Sequence, residues 1–481
     1  MNSLKKGIIF VVIAVILFVV LSYLLFGYFQ LGDDIFIYLQ YAKHILNNGE
    51  VSFNLGDPTY GFTGPVWLGL ILLLSIIFGF SINIPTILSF AFAVLTIIIW
   101  ARILKKFNLI PSIYSLLLVI ILVDPNLLKH TYLGMEATLS YFLSSLTIWL
   151  LLFEKSKCRI HFLGIIMGLY GLVRPESILL AIVFFIYFLT DRESLENISK
   201  YIFTGLMIVV PWLIFSLLYF EQLLPNTFYA KGAAYAIGSN FLKNIYDSAI
   251  IFSGSYLPII ILIGICFIFF GANKSFEKFN IFSLLIIAIY ILFYSLTINH
   301  EFVYARYYSI VFPFISYLFI NLITKINFLK QRSLIAILSL IIVVQFSFSV
   351  FYSVNAKKLY IASEHVEDEV IEWINDNTYK DQKIVRARIG KIGFKTDRII
   401  VDPIGLINPE IINYYKKENI SEYYGSVRPD YVITSELDHT IFKESKLVKR
   451  FVYPSNFLVR QLFFSSEQNK VDTLKINKIY W

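Results

Sequence analysis

Cysteine is nearly missing from this chain: there are two in 481 residues, Cys158 in a basic stretch and Cys266 inside an apolar run. That spacing offers neither a disulfide framework nor a zinc motif, so nothing points to redox or structural-metal chemistry. Charge is scarce too. Asp, Glu, Lys and Arg make up 15% of the residues against 57% apolar, and a mean hydropathy of +0.70 is too high for a soluble enzyme. No internal repeat, low-complexity tract, G-x-x-x-x-G-K-[ST] loop or G-x-G-x-x-G occurs, which argues against a nucleotide-driven pump and a Rossmann-type nucleotide-sugar site. A formal charge of +8 raises nucleic acid as a partner. The cations of the apolar half nevertheless fall in short clusters between hydrophobic segments, where they read as topology signals and not as a nucleic-acid surface.

What the chain has in abundance is long apolar runs, at 7–29, 83–104, 111–123, 137–153, 160–173, 177–190, 201–220, 249–270, 281–298, 308–322 and 334–352. They predict a polytopic all-α membrane protein of about 11 transmembrane helices. The first run follows Lys5 and Lys6 but is too long for a signal peptide and lacks a small-residue cleavage site, so it reads as a helix that stays. The shorter run at 65–80 decides the topology. If it only dips into the membrane, the loops carrying Arg102, Lys105 and Lys106, then Lys155, Lys157 and Arg159, then Lys200, then Lys274 and Lys278, then Lys325, Lys330 and Arg332 all face inward, as the positive-inside rule expects. The N-terminus is then cytoplasmic and the C-terminus outside.

After Tyr352 the pattern changes. Val366, Val370, Trp373 and Ile374 recur at helical spacing and predict an amphipathic helix over 363–375. Short β-like runs follow at 383–387, 398–401 and 430–434, punctuated by Gly390, Gly393, Pro403, Gly405 and Pro429. The expected organisation is a membrane module over 1–354, with a first outer loop at 30–82, and a small extracytoplasmic α/β domain over 355–481.

Asp33 and Asp34 stand side by side where the first apolar run ends. Two carboxylates at a membrane surface are costly unless they meet water, a partner or a metal. The structural alternative is that they cap the amphipathic stretch at 35–46. The same topology gathers other polar residues on the outer face: Lys129, His130 and Glu136, then Arg174 and Glu176, then Asn226, Thr227 and Lys231, then His300, Glu301 and Arg306. Their side chains are expected to converge in one wet cavity, although any single member is also explained as an interfacial anchor. Arg174-Pro175-Glu176, a hairpin tip between two apolar runs, has the least structural need for its charges.

Several blocks resemble one family. Asp33-Asp34-Ile35-Phe36-Ile37, Tyr60-Gly61-Phe62-Thr63-Gly64-Pro65-Val66-Trp67, Gly134-Met135-Glu136, Arg174-Pro175-Glu176 and Pro225-Asn226-Thr227-Phe228-Tyr229-Ala230-Lys231 look like successive segments of the membrane glycosyltransferases typified by the actinobacterial terminal β-(1→2)-arabinofuranosyltransferase. In the tail, Ile389-Gly390-Lys391-Ile392-Gly393-Phe394 and Ile400-Val401-Asp402-Pro403-Ile404-Gly405-Leu406 resemble that family's extracytoplasmic domain. The resemblance implies a GT-C fold, more distantly like protein O-mannosyltransferases and lipid A aminoarabinose transferases. It also implies transfer of a sugar from a polyprenyl-phosphate donor to a glycan, glycolipid or protein acceptor on the outer face of the cell membrane.

Such a transfer needs a base for the acceptor hydroxyl and positive charge for the departing phosphate. Asp33 or Asp34 suits the first role, and Arg174, Lys231 and Arg306 are candidates for the second. Glu136 and Glu176 are candidates for orienting those cations or binding acceptor hydroxyls, and Asn226, Thr227, Tyr60, Thr63 and Tyr229 for binding substrate, although interfacial aromatic belts are the commoner explanation of the tyrosines. A divalent cation (Mg, Mn or Ca) on an outer-loop carboxylate fits the preference of hard ions for oxygen, but no metal motif is visible. A transporter or flippase of a lipid-linked sugar is the competing class; it predicts repeated halves and charges at the bilayer midplane, and neither is seen. A structural subunit presenting the tail to a partner leaves Asp33-Asp34 and Arg174-Glu176 unexplained.

Overall fold

The computed structural model describes residues 2–28, 31–156, 158–190, 193–233, 238, 240–298 except 271–277, 304–325, 330–434 except 418, 441–452 except 443, and 473–480. Its contacts divide the chain into two compact units. The first comprises Met1–Gly27, Pro85–Trp212 and Asn240–Tyr352; the second comprises Tyr28–Ile84, Leu213–Ser239 and Ser353–Trp481.

Among the described residues, each of the eleven apolar runs is mainly helical. Five helices are long and apolar enough to cross a membrane alone: Ile9–Phe26 within the first helix, Ile84–Lys105, Leu195–Phe220, Lys278–Thr297 and the Gln331–Lys357 stretch. Two more crossings are possible as bent pairs, Pro111–Leu122 with Pro125–Leu133 and Phe241–Gly254 with Tyr256–Ile265. The remaining expected spans are shorter helices, Ala137–Phe153, Arg159–Val173, Pro175–Thr190 and Phe312–Ile323. Pro65–Phe78 has 14 residues, about 21 Å of helix, which falls short of a hydrocarbon core of about 30 Å.

Within the first unit, Phe312–Ile323 is buried at every position, as an all-round apolar helix must be. Ala137–Phe153 carries Ser140, Ser144, Ser145 and Thr147 on buried faces. Small hydroxyl residues permit close approach, and their O–H groups are satisfied within the bundle: Ser145 Oγ donates to Tyr141 O and Thr147 Oγ1 to Leu143 O, both at 2.8 Å. Arg159–Val173 meets Leu195–Phe220 along Gly164 and Gly168; a Cβ on Gly168 would lie 2.6 Å from the carbonyl of Gly205.

The second unit is built on a five-stranded mixed sheet, β1 Lys383–Val385, β2 Ile399–Val401, β3 Tyr431–Thr434, β4 Ser445–Val452 and β5 Thr473–Ile479, in the order β2-β1-β3-β5-β4. β1 is parallel to β2 and β3, and β5 is antiparallel to β3 and β4. The expected helix at 363–375 is the last part of one continuous helix, Gln331–Asn377. Val385, Val401, Val432 and Ile479 from the sheet share a core with Ile411 and Tyr423. The loop after the first helix joins this unit closely: Asn54 donates Nδ2 to Ile400 O at 2.9 Å and accepts Ile400 N at 3.0 Å, completing the free edge of β2 as a strand would.

Candidate active site

The polar residues singled out above are divided between the two units. In the first, Pro175 ends the helix Arg159–Val173, leaving Arg174 extended with φ of −150°. Its guanidinium donates Nη1 to Glu136 Oε1 and Nε to Glu176 Oε1, each at 2.7 Å. All three charges lie away from solvent, Arg174 being 7% and Glu136 2% exposed, so the fork geometry of arginine is what makes the burial tolerable. Tyr294 donates its O–H to Glu176 Oε1 at 2.7 Å, and Tyr290 reaches the backbone carbonyl of Glu176 at 3.3 Å. The Tyr307 ring carries two cations, the guanidinium of Arg174 at 5.3 Å and that of Arg306 at 5.6 Å from its centroid.

His130 is buried on the helix Pro125–Leu133, which ends at Gly134 in the left-handed conformation (φ 70°) and so delivers Glu136 to the start of Ala137–Phe153. Both His130 ring nitrogens and Glu136 Oε2 lack a hydrogen-bond partner among the described residues. Lys129 donates to the Tyr352 hydroxyl and lies over its ring. His300 and Glu301 fall outside the described residues. The supporting tyrosines 290, 294 and 307 were not picked out from sequence. The i, i+4 spacing of Tyr290 and Tyr294 on one helix was the signal available.

In the second unit, Asp33 and Asp34 occupy the first turn of the helix Asp33–Asn48, and its N-cap is Gly32. Neither carboxylate therefore serves as the N-cap. Asp33 instead accepts two backbone N–H bonds from another helix, from Gly390 to Oδ2 at 3.1 Å and from Lys391 to Oδ1 at 2.9 Å. Burial of the carboxyl group raises its pKa, with Arg388 and the Lys391 N–H pulling it down and Asp34 and Glu367 adding to the rise. Asp34 is half-buried. Beside this contact, Glu367 receives Arg386 and, at 3.0 Å, Arg388, while Lys391 Nζ bonds Glu364 at 2.6 Å and Asp368 at 2.7 Å.

The other expected substrate residues of this unit have structural neighbours. Tyr60 is buried and stacks on Phe220 with centroids 5.1 Å apart. Its carbonyl accepts Asn226 N at 2.9 Å, and Asn226 Nδ2 donates to Leu406 O at 2.9 Å. Three stretches singled out in the sequence thus meet at one buried asparagine. Leu406 is held in turn by Asp402, whose buried carboxylate accepts the N–H groups of Ile404 at 2.8 Å, Leu406 at 2.5 Å and Ile407 at 3.4 Å. Thr63 meets the Tyr38 hydroxyl at 3.3 Å. Thr227 Oγ1 is buried without a hydrogen-bond partner among the described residues, and Tyr229 is exposed. The Lys231 side chain lies outside the described residues. Among the described residues, no three His, Cys, Asp or Glu side chains group as a metal site.

Over nearly its whole length the chain is similar to ArnT from Cupriavidus metallidurans bound to undecaprenyl phosphate, with a TM-score of 0.66 and 10% identity covering 97% of each chain. The fold is ArnT-like, of the GT-C class. The apo state of the same ArnT gives a TM-score of 0.64 at 10% identity, covering 99% of this chain and 98% of that one. Residues 357–473 match a family model described as a domain of unknown function, DUF8728. No curated protein sequence matches.

Proposed function

We propose that this protein is a membrane glycosyltransferase that moves a monosaccharide from a polyprenyl-phosphate donor to an acceptor hydroxyl on the extracytoplasmic face. The observation that carries the reading is the end-to-end likeness to an ArnT structure bound to undecaprenyl phosphate. At 10% identity that likeness leaves the donor sugar and the acceptor unnamed. The N-terminus is cytoplasmic and the C-terminal domain extracytoplasmic in this reading, following the cation clusters between the spans.

Chemically, the acceptor oxygen bonds to the anomeric carbon, the bond from that carbon to the phosphate oxygen breaks, and the phosphate leaves with the electron pair. Asp34 takes the acceptor proton, and Asp33, whose carboxylate accepts the amides of Gly390 and Lys391, orients it. Arg306 and Lys231 bind the phosphate. Arg174, whose charge is matched by Glu136 and Glu176, holds the donor site in shape and lends it the remaining N–H groups of its guanidinium.

The test is transfer by the purified protein from a panel of polyprenyl-phosphate sugars to water-soluble glycan acceptors, with release of polyprenyl phosphate measured in parallel. Stoichiometric release with product formation supports the reading. Movement of intact lipid-linked sugar across proteoliposomes with no release would establish the transporter alternative instead.

A further inference from the structure

Arg174, Glu136 and Glu176 pair with one another, but His130 and one oxygen of Glu136 stay out of that pairing. His130 lies on the helix Pro125–Leu133 and is 2% exposed, and neither Nδ1 nor Nε2 has a hydrogen-bond partner among the described residues. Glu136, also 2% exposed, binds Arg174 through Oε1, while Oε2 has no hydrogen-bond partner there. Buried polar atoms are almost always hydrogen-bonded, so these three call for a partner.

The two residues belong to one place in the first unit. The helix Pro125–Leu133 packs on the short helix Ala305–Ile310, which carries Arg306 and Tyr307. The charges that act on the His130 ring are those of Lys129, Arg306 and Arg174. Arg174 is also the residue that Glu136 Oε1 binds, so His130 and Glu136 both lie within electrostatic reach of one guanidinium.

Donors and acceptors decide what group completes them. A neutral imidazole offers one N–H and one lone pair, and Glu136 Oε2 only accepts. A phosphate or carboxylate oxygen satisfies the N–H alone and is repelled by Oε2. An ammonium group has nothing to accept the N–H, and it would join Lys129, Arg174 and Arg306. A hydroxyl both donates and accepts, so two hydroxyls satisfy all three atoms without adding charge. Buried groups of this kind discriminate strongly, because an analogue without the hydroxyl leaves them unpaired.

We propose that His130 and Glu136 Oε2 recognise hydroxyl groups of the donor's sugar, and that this sugar is an uncharged polyhydroxy monosaccharide and not an amino sugar. The proposal rests on the glycosyltransferase reading above, in which Arg306 binds the donor phosphate.

The experiment measures, by native mass spectrometry, the affinity of the purified full-length protein for undecaprenyl phosphate and for undecaprenyl-phosphate-linked glucose, galactose, mannose, arabinofuranose and glucosamine. The wild type is expected to bind at least one uncharged donor roughly tenfold or more tighter than the bare carrier, and the glucosamine donor no tighter than the bare carrier. His130→Phe should erase that advantage and leave affinity for the bare carrier unchanged. It should also unfold at the wild-type temperature or above, because it replaces an unpartnered polar ring with an apolar one of similar size. His130→Asn, whose amide keeps a donor and an acceptor, should retain most of the advantage. An advantage that survives His130→Phe overturns the proposal, as does an equal loss of affinity for sugar-linked and bare carrier, which would make His130 a phosphate ligand. A lowered unfolding temperature with the advantage lost in both variants would make His130 structural and overturns it as well. Preference for the glucosamine donor, or equal binding of every donor and the bare carrier, overturns the assignment of an uncharged sugar. No binding of undecaprenyl phosphate or of any donor overturns the glycosyltransferase reading itself, and this inference with it.

Discussion

The Asp33 carboxylate accepts the backbone N–H of Lys391 at 2.9 Å across 358 residues of chain. Together with the bond from Gly390, it gives one aspartate of the pair a defined structural task. The two carboxylates should therefore separate experimentally. Asp33→Asn turns one acceptor oxygen into an NH2 group facing a backbone N–H, and losing a charge-assisted bond costs about 1.5–3 kcal/mol. Thermal unfolding of purified Asp33→Asn is expected to shift down, with any fall in turnover following that shift. Asp34→Asn is expected to unfold like the wild type while turning over roughly 10²- to 10⁴-fold more slowly. A wild-type rate for Asp34→Asn removes it as the base.

The same contact makes a steric prediction. A Cβ on Gly390 would stand 1.9 Å from the Asp33 carbonyl oxygen, whereas a Cβ on Gly425 would meet nothing within 4 Å. Gly390→Ala must push the helix Gly390–Thr396 away from Asp33, so marked destabilisation is expected. Gly425→Ala lies within a helix, Ile420–Val427, and should be neutral or stabilising by up to about 1 kcal/mol. Equal unfolding temperatures for the two variants would show that the approach at Gly390 is not a constraint.

Much of the membrane module was legible because apolar runs bounded by cations leave little choice of structure in lipid. Among the described residues, all eleven runs are mainly helical. The unbroken helix Gln331–Asn377 was legible too, in principle, since no Gly or Pro occurs between its ends. Strand β4 escaped notice for a physical reason: Lys446, Lys449 and Arg450 are exposed on it and it is an edge strand, so the apolar alternation that marks a half-buried strand is missing there. The partner of Asp33 was beyond reach for another: it is a backbone amide, which carries no residue-type signal. Glu136 and Glu176 were legible as acids that orient a cation, and the packing of two helices brings Glu136 to Arg174 across 38 positions.

Glu367 sets a pH dependence. Desolvation would raise its pKa, but Arg386, Arg388 and Lys391 together outweigh it and hold the carboxyl below its ordinary value of 4.5. A depressed acid stabilises the fold above its unfolded pKa, and that contribution is lost as pH falls through the folded value. The unfolding temperature is therefore expected to fall as pH drops below about 4.5. Glu367→Gln, which leaves Arg386 without its charge partner, should be less stable near neutrality and show a shallower acid dependence. Parallel acid profiles for wild type and variant would assign the effect to other carboxylates.

The last prediction separates the two arginines that share Tyr307. Arg174 balances two buried carboxylates, and removing one member of such a group leaves charge stranded at a cost of about 3–5 kcal/mol. Arg174→Ala should therefore lose stability before it loses a particular kinetic step, and Arg174→Gln combined with Glu136→Gln, which removes a charge of each sign, should recover part of that loss. Arg306 is half-buried over Tyr304 and Tyr307, so Arg306→Ala should fold. If Arg306 binds the donor phosphate, the lost charge-assisted bonds of about 1.5–3 kcal/mol lower kcat/KM for the lipid-linked donor by roughly 10- to 150-fold and leave acceptor KM unchanged. Two results go against this division: Arg174→Ala unfolding at the wild-type temperature, and Arg306→Ala with unaltered donor kinetics.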